Sequence, residues 1–237
     1  MQDDDQNTTI IIFAKSPEGD NVKTRLSSVL TVEKRLLLHK AMLQWTFQQA
    51  MLSAAEKVIV AIDGDERHRF FNDLFFITNN NIQLEKRSFN KIYSKKCSFT
   101  QQYSGDLGRK MYLSASQELS RDSSNNAVVL IGSDCPFITT RYLDYAINCL
   151  SDNPFVIGPA SDGGYVLLAM REIIPSIFED IPWGTDAVYQ KTCDVLSLEK
   201  KSYTTLATLS DIDRPEDINL LAGYQNKSAL FNDFFMS

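Results

Sequence analysis

The chain has 237 residues, enough to bury a large core, and α/β sheets of this length often form one domain. Its net charge of −6 argues against a protein that binds nucleic acid or an anionic membrane surface, because such a footprint would be basic. No apolar run reaches membrane-spanning length, and the acidic N-terminus does not match a signal peptide. Four scattered cysteines without a C-x-x-C pair indicate reduced thiols in a cytoplasmic protein. The chain has only two histidines, His39 and His68, and both fall in predicted helices, which argues against chemistry that depends on histidine.

The first predicted strand, residues 8–15, is an apolar, β-branched run that ends at a loop of small and basic residues. Lys15, Lys23 and Arg25 lie within eleven residues of one another at the carboxyl end of this strand. Such a cluster favours contact with nucleotide phosphates. The alternative is that the three side chains are solvated surface charges. The G-x-x-x-x-G-K-[ST] pattern of a P-loop is absent.

A long helix over residues 31–55, with Thr31 as its N-cap, and a strand over 57–62 come next. Asp63 and Asp65 after this strand predict a turn, with a metal pair as the alternative. Residues 66–76 read as a helix and 82–84 as a short strand.

The span 86–110 holds seven Lys or Arg and one Asp. Its first part, within the polar stretch 85–104, shows no period, and a structureless segment of that length is usually functional or mobile. Asp106 can cap the helix that follows it.

The centre of the predicted sheet is the apolar run 128–131, typical of a strand buried on both faces. Asp134 follows it directly, at the sheet edge where open α/β sheets bind ligands. A carboxylate fixed there suits a hard divalent cation held against phosphate oxygens. The alternative is that Asp134 caps the helix starting near Thr139, or shapes the turn.

Two more strands, 154–160 and 166–170, are joined by a turn containing Asp162, Gly163 and Gly164, which by itself predicts a hairpin. The glycines also allow backbone to approach a ligand closely, with Asp162 and Tyr165 beside it. The remaining predicted elements are a helix over 187–196, a strand over 203–209, a helix over 215–224 and a packed or partner-binding segment over 230–236.

Strands and helices alternate along the whole chain without a repeat, a linker or a shift in composition. This pattern predicts a single three-layer α/β domain over residues 1–237, with 1–8 and 226–237 as tails.

Six motifs that are individually weak occur together in a characteristic order. They are FAKxPxGxxVKTRL at 13–26, GDLG at 105–108, GSDCP at 132–136, GPAxDGGY at 158–165, WxT at 183–185 and DxDxPED at 211–217. The chain resembles the bacterial GT-A-like glycosyltransferase family related to the 2-phospho-lactate guanylyltransferases, whose members are often described as transferases of arsenosugar- or selenium-associated pathways. It departs from the family pattern at Arg109-Lys110, where glutamate is common, and at Gly184, where serine is common.

The resemblance implies a GT-A-like, Rossmann-like nucleotide-diphospho-sugar transferase fold with a mostly parallel central sheet. It implies Mg²⁺ or Mn²⁺ held by Asp134 and Asp213, with Asp211 as the nearby alternative. It assigns the phosphates to Lys15, Lys23 and Arg25. It assigns the nucleoside side to Gly105 and Asp106 and the acceptor side to Asp162, Gly163, Gly164 and Tyr165. Trp183 and Thr185 are expected as further substrate-binding residues.

These expectations lead to a metal-dependent transferase with a nucleotide-activated donor and a small-molecule acceptor, and to a glycosyltransferase as the leading hypothesis. The catalytic group would be Asp134, Lys23 and Arg25, with Asp162 orienting or deprotonating the acceptor or, alternatively, only forming a turn. A nucleotidyltransferase that releases pyrophosphate is the runner-up, and a non-catalytic nucleotide-binding module is third. The sequence leaves open whether the protein forms a homodimer.

Overall fold

The computed structural model describes residues 7–74, 96–121, 126–224 and 229–236. The predicted strand 82–84, the end of the predicted helix 66–76 and residues 86–95 of the basic span 86–110 lie outside the described residues.

Seven strands of the described residues form one sheet in the order β3-β2-β1-β4-β6-β5-β7. Only β6 runs antiparallel to its neighbours in this sheet, so the expected mostly parallel sheet is confirmed. The strands are β1 (Asn7–Lys15), β2 (Lys57–Asp63), β3 (Cys97–Gln101), β4 (Asn126–Gly132), β5 (Phe155–Pro159), β6 (Tyr165–Met170) and β7 (Tyr203–Thr205).

Helices cover both faces of the sheet. They are α1 (Val32–Leu52), α2 (Leu107–Leu119), α3 (Thr140–Cys149), α4 (Val188–Leu198) and α5 (Asn232–Met236), with 3₁₀ turns at Thr24–Leu26, Pro175–Ile177, Pro215–Tyr224 and Ala229–Phe231. Side chains cap three of the helices: Thr31 accepts from the Lys34 amide at 3.3 Å, Asp106 from Arg109 at 2.8 Å and Thr139 from Tyr142 at 3.2 Å. These bonds satisfy amides that a helix start leaves without a partner.

The position of β4 in the sheet explains why its sequence is continuously apolar and does not alternate with polar residues. Val129 and Ile131 belong to the core packed against α1 and α3, whereas Val128 and Leu130 belong to the core packed against α2 and α4. Both faces of the strand are therefore buried, and the predicted three-layer architecture is confirmed.

The segment around β3 corrects the prediction of a stretch without regular structure. Residues 97–101 pair in parallel with β2 at the edge of the sheet. Their side chains are only partly buried or exposed, so the sequence lacks the apolar run of a central strand and the strand escaped detection. The helix predicted over residues 66–76 begins at residue 69 in the structure, so His68 lies before the helix and not in it.

The C-terminal segment packs against α1. Phe231 and Phe234 are buried in a third core cluster with Leu38 and Met42 of that helix. Residue 7, expected in a tail, lies in β1, and residue 8 lies in the strand as the prediction of a strand over 8–15 had it. The four cysteines are free thiols. None of the helices in the described ranges is long and apolar enough to span a membrane.

Candidate functional site

Two clefts open at the carboxyl edge of β1 and β4, on either side of a shared wall. The wall consists of Phe13, Leu107, Gly132 and Asp134. We call the larger one, of about 630 Å³, the cationic cleft, because Lys15, Lys23, Arg25 and Lys110 line it. We call the other, of about 300 Å³, the apolar cleft, because most of its lining consists of aliphatic and aromatic side chains. These include Leu130, Tyr165, Val166, Trp183 and Val188.

Lys23 is the most tightly held cation of the cationic cleft. Its side chain is 3% exposed, and its backbone is left-handed, with φ of 49°. The ammonium donates to the Ile212 carbonyl at 2.6 Å and pairs with Asp134 Oδ1 at 3.0 Å and Asp213 Oδ1 at 3.9 Å. A buried charge is tolerated only when it is paired in this way. The structure therefore excludes, for Lys23, the alternative of a solvated surface charge.

Arg35 on α1 holds the loop that carries Lys23. This buried guanidinium donates from one nitrogen to the carbonyls of Asp20 at 3.0 Å and Val22 at 2.9 Å. Lys23, whose backbone is left-handed, directly follows Val22 in the chain. The geometry of Lys23 thus depends on a helix that begins nine residues later in the chain.

The segment 211–217 is fastened to the same point from the other side. Arg25 donates to Asp213 Oδ2 at 2.6 Å, and the Ile212 amide donates to the Asp134 carbonyl at 2.9 Å. Asp217 accepts from the amides of Asp213 and Arg214 at 3.0 and 2.6 Å. The loops after β1 and β4 and the segment after β7 therefore converge on one polar cluster.

The charges of this cluster shift the titration of their neighbours. Burial acts to raise the pKa of Asp134, but the positive charges of Lys23 and His39 and the hydrogen bond from Lys23 outweigh it, so the pKa lies below its usual value. Burial lowers the pKa of His39, against the opposing charge of Asp134. Asp134 is thus ionised at physiological pH, and burial disfavours the protonated form of His39.

The two carboxylates expected to hold a metal both contact Lys23 instead. Within the described ranges, no group of three or more His, Cys, Asp or Glu side chains is arranged to hold a metal ion. Asp134 and Asp213 nevertheless each place an oxygen within 4 Å of the Lys23 nitrogen. Carboxylate oxygens are the donors that Mg²⁺ and Mn²⁺ prefer, so the pair fits such an ion if phosphate oxygens complete the shell and Lys23 moves aside.

Tyr165 and Trp183 form the aromatic part of the apolar cleft. Their ring centroids lie 6.2 Å apart at 87°, an edge-to-face pair. Burial raises the pKa of the Tyr165 hydroxyl, whose polar contact is the sulfur of Met111 at 4.0 Å. Gly108 of α2 packs so closely that a Cβ there would lie 2.7 Å from Trp183 Nε1. The pair is therefore fixed by packing.

Asp162 and Asp211 place carboxylates beside these rings. Asp162 accepts from the Gly164 amide at 2.9 Å, so the turn-forming alternative is confirmed for its Oδ1 atom. Burial and the charge of Asp162 raise the pKa of Asp211 to about 6. Asp211 therefore lines the apolar cleft and also lies two residues before Asp213, one of the expected metal ligands.

The other sequence-predicted residues divide between the clefts and their surroundings. Gly164 and Thr185 line the apolar cleft, whereas Gly163 packs against the backbone of Asp186 beside it. Among the described residues, Gly105 and Asp106 line neither cleft. The alternative that Asp106 caps the following helix is confirmed.

Three residues of the cationic cleft escaped the sequence analysis. His39 and Lys110 line it from α1 and α2, and Gln102 lines it from the loop after β3. The Gln102 amide donates to the carbonyls of Ala14 at 3.3 Å and Ala61 at 3.0 Å, and Lys110 Nζ lies 3.7 Å from Asp63 Oδ2. Lys110 carried a signal, because it belongs to Arg109-Lys110, where this chain departs from the family pattern.

Comparison with known proteins finds the same fold in nucleotide-diphospho-sugar transferase and cytidylyltransferase structures. The family model described as "Uncharacterized protein conserved in bacteria (DUF2064)" matches residues 46–185. The chain is similar to a provisionally assigned nucleotide-diphospho-sugar transferase from Desulfovibrio desulfuricans G20, with 26% identity, a TM-score of 0.74 and coverage of 95% of this chain and 90% of that one. No curated protein sequence matches the chain.

Two further solved structures share the fold at lower identity. One is 4-diphosphocytidyl-2C-methyl-D-erythritol synthase from Anaerococcus prevotii DSM 20548, with 12% identity, a TM-score of 0.54 and coverage of 93% and 99%. The other is a cytidylyltransferase from Leptospira borgpetersenii serovar Hardjo-bovis, with 14% identity, a TM-score of 0.52 and coverage of 98% and 93%. The predicted GT-A-like class is thereby confirmed.

Proposed function

This chain belongs to the family described as DUF2064, conserved in bacteria, and on that premise we propose that it is a transferase that uses a nucleotide-activated donor. Within that class we propose glycosyl transfer from a nucleoside-diphosphate sugar to a small acceptor, in the cytoplasm. The observation that carries the proposal is the meeting of a cationic and an apolar cleft at one carboxylate, Asp134. The similarity to the Desulfovibrio protein supports it.

The cationic cleft suits the donor diphosphate. Lys15 and Arg25 are exposed and line the cleft, so a ligand can reach Lys15 directly and Arg25 beside its ion pair with Asp213. Lys23 pairs with Asp134 and Asp213 in this structure, and when it turns toward the diphosphate it would stabilise the negative charge that develops on that leaving group. At about 630 Å³, the cleft has the volume of a typical ligand site.

We extend the proposal to a divalent cation. Asp134 and Asp213 would hold Mg²⁺ or Mn²⁺, with Asp211 as the nearby alternative. The bound ion would supply charge neutralisation at the diphosphate. The ammonium of Lys23 leaves the carboxylates free to bind only when it turns toward the phosphate oxygens.

The reaction would take place where the clefts meet. The acceptor hydroxyl oxygen forms a bond to the anomeric carbon of the sugar, and the bond from that carbon to the diphosphate oxygen breaks. The nucleoside diphosphate leaves with the bonding electron pair, and the hydroxyl proton passes to a carboxylate. Asp162 lies beside the apolar cleft with its Oδ2 atom outside the bond to Gly164, which suits this role.

A panel of nucleotides and sugar nucleotides, tested by thermal shift with and without Mn²⁺, would check the proposal. A ligand that binds only the folded protein raises its melting temperature by mass action. We expect a nucleoside-diphosphate sugar to raise it most, and Mn²⁺ to increase the shift. A larger shift with a triphosphate, together with pyrophosphate as product, would replace glycosyl by nucleotidyl transfer.

Asp134→Asn tests the cation site against Asp152→Asn, an exposed aspartate after α3. We expect the Mn²⁺-dependent part of the shift to disappear in Asp134→Asn and to persist in Asp152→Asn. An unchanged Mn²⁺ response in Asp134→Asn would refute the cation proposal, and no shift with any nucleotide would refute the transferase proposal itself.

A further inference from the structure

The charges that line the apolar cleft are all of one sign. Within its described lining the charged residues are Asp134, Asp162 and Asp211, and no lysine, arginine or histidine takes part. Lys23 lines the other cleft, and its ammonium is already paired with Asp134. The remaining two carboxylates have no cation as a partner among the described ion pairs.

The negative character continues beyond the cleft. A neighbouring cavity of about 340 Å³ shares Asp162 and Asp211 with it and is lined by Ser161, Asp186, Asp213, Arg214, Glu216 and Asp217 as well. Its one described cation, Arg214, stands against six carboxylates. Because like charges repel over such short distances, an anion approaching the apolar cleft of the protein without a bound divalent cation meets an unfavourable potential from this side.

The walls of the cleft offer apolar surface instead. Trp183 and Tyr165 both line the cleft and are partly exposed, so they offer aromatic surface to a ligand ring or to the C–H face of a sugar. Met111, Leu130 and Val188 complete this surface. An aromatic face also attracts a cation.

From this lining we infer that the apolar cleft binds an acceptor that presents an apolar face and carries no negative charge, and that phosphorylated acceptors are excluded. The inference rests on the proposed function, because it treats this cleft as the acceptor site. It favours sugar transfer, since nucleotidyl transfer to a substrate phosphate would bring a second anion into the cleft. The two clefts thereby separate the anionic donor from a non-anionic acceptor.

Three small probes that differ in charge on one benzyl group test the inference: benzyl alcohol, benzylamine and benzyl phosphate. The phosphate monoester carries more than one negative charge at neutral pH. Trp45 and Trp183 are the two tryptophans of the chain, and Trp45 lies on α1 with its Nε1 bonded to the Ile138 carbonyl at 3.2 Å. In Trp45→Phe, the fluorescence therefore reports on Trp183 in the apolar cleft.

We expect benzyl phosphate to bind at least about tenfold more weakly than benzyl alcohol, a difference of about 1.4 kcal/mol. Tighter binding of benzylamine would identify a cationic acceptor, and equal binding of the amine and the alcohol a neutral one. Asp162→Asn should reduce the discrimination against the phosphate, whereas the matched Asp152→Asn should keep it.

Binding of benzyl phosphate as tight as that of benzyl alcohol would overturn the inference, and so would the absence of any Trp183 response to the three probes at tens of millimolar. Affinity for a nucleoside diphosphate, measured in parallel by thermal shift, separates the two proposals. Charge discrimination without nucleotide binding refutes the proposed function alone. Nucleotide binding without charge discrimination refutes the inference alone.

Discussion

The two clefts share a wall but are held together by different forces. The cationic cleft is fixed by ion pairs and hydrogen bonds between segments far apart in the chain, as in the contact of Arg25 with Asp213 across 188 positions. The apolar cleft is fixed by the packing of strand and helix side chains, with the Tyr165–Trp183 pair at its centre.

The difference has a physical consequence. Polar contacts at an exposed surface contribute little net stability, because water competes for both partners. Apolar packing contributes more, and it tolerates changes of volume poorly. Substitutions in the apolar cleft should therefore affect stability first, whereas those at the exposed edge of the cationic cleft should affect ligand affinity first.

The largest effect is expected for Gly163→Ala. Gly163 has φ of +90°, and a Cβ there would overlap the backbone of Asp186. Strain and displacement together should lower the free energy of unfolding by about 3 kcal/mol. For a chain of this length that corresponds to a fall in melting temperature of roughly 6–12 °C.

Gly132→Ala is the matched control, since a Cβ at Gly132 meets no atom within 4 Å and its residue lines both clefts. Its stability should change by less than about 0.5 kcal/mol. Similar losses in the two variants would show that backbone packing at Gly163 does not hold the apolar cleft.

A smaller effect is expected within the cationic cleft, and it should depend on burial. Lys23→Ala leaves the Asp134 carboxylate and the Ile212 carbonyl without their shared donor, so we expect a loss of about 2 kcal/mol in urea denaturation. Arg25→Ala removes a side chain that is 59% exposed and should cost less than about 0.5 kcal/mol.

Both variants should weaken the binding of the donor, since both remove a positive charge from the cleft. If Arg25→Ala destabilised the protein as much as Lys23→Ala, burial of the cation would not explain the difference expected between the two ion pairs.

The smallest effect concerns pH and His39. Because burial lowers the pKa of His39 below 6.5, the unfolded chain binds a proton at this residue more readily than the folded one. The contribution of His39 to stability is therefore fully present above pH 6.5 and is lost as the pH falls toward its lower, folded-state pKa. Urea denaturation between pH 7 and pH 5 would detect this loss.

His39→Gln keeps an N–H that can donate to the Lys15 carbonyl, which His39 Nε2 contacts at 2.9 Å, and it does not titrate. Asp211 acts in the opposite direction in the same window, because its pKa is raised to about 6 and its stabilising contribution is lost as the pH rises. The difference between wild type and variant isolates His39. An unchanged pH dependence in His39→Gln would contradict the prediction.

Much of the fold was predictable because its signals are local. The run 128–131, the N-cap Thr31 and the glycine turn before β6 each predicted an element that the structure contains. The edge strand β3 was missed, since a half-exposed strand carries no strong pattern. The 3₁₀ conformation of Pro215–Tyr224, where the sequence predicted a helix without specifying its type, also depends on the tertiary context.

The sequence by itself determined which residue types meet at the sheet edge. Strand polarity places Lys15 and Asp134 there, because β1 and β4 run parallel and end side by side. Only the tertiary structure decided how their neighbours pair. Lys23 lies between Asp134 and Asp213 because Arg35 fixes the loop backbone and the Ile212 amide binds the Asp134 carbonyl. Contacts across such separations leave no periodicity in the sequence, and the division between a cationic and an apolar cleft follows from them.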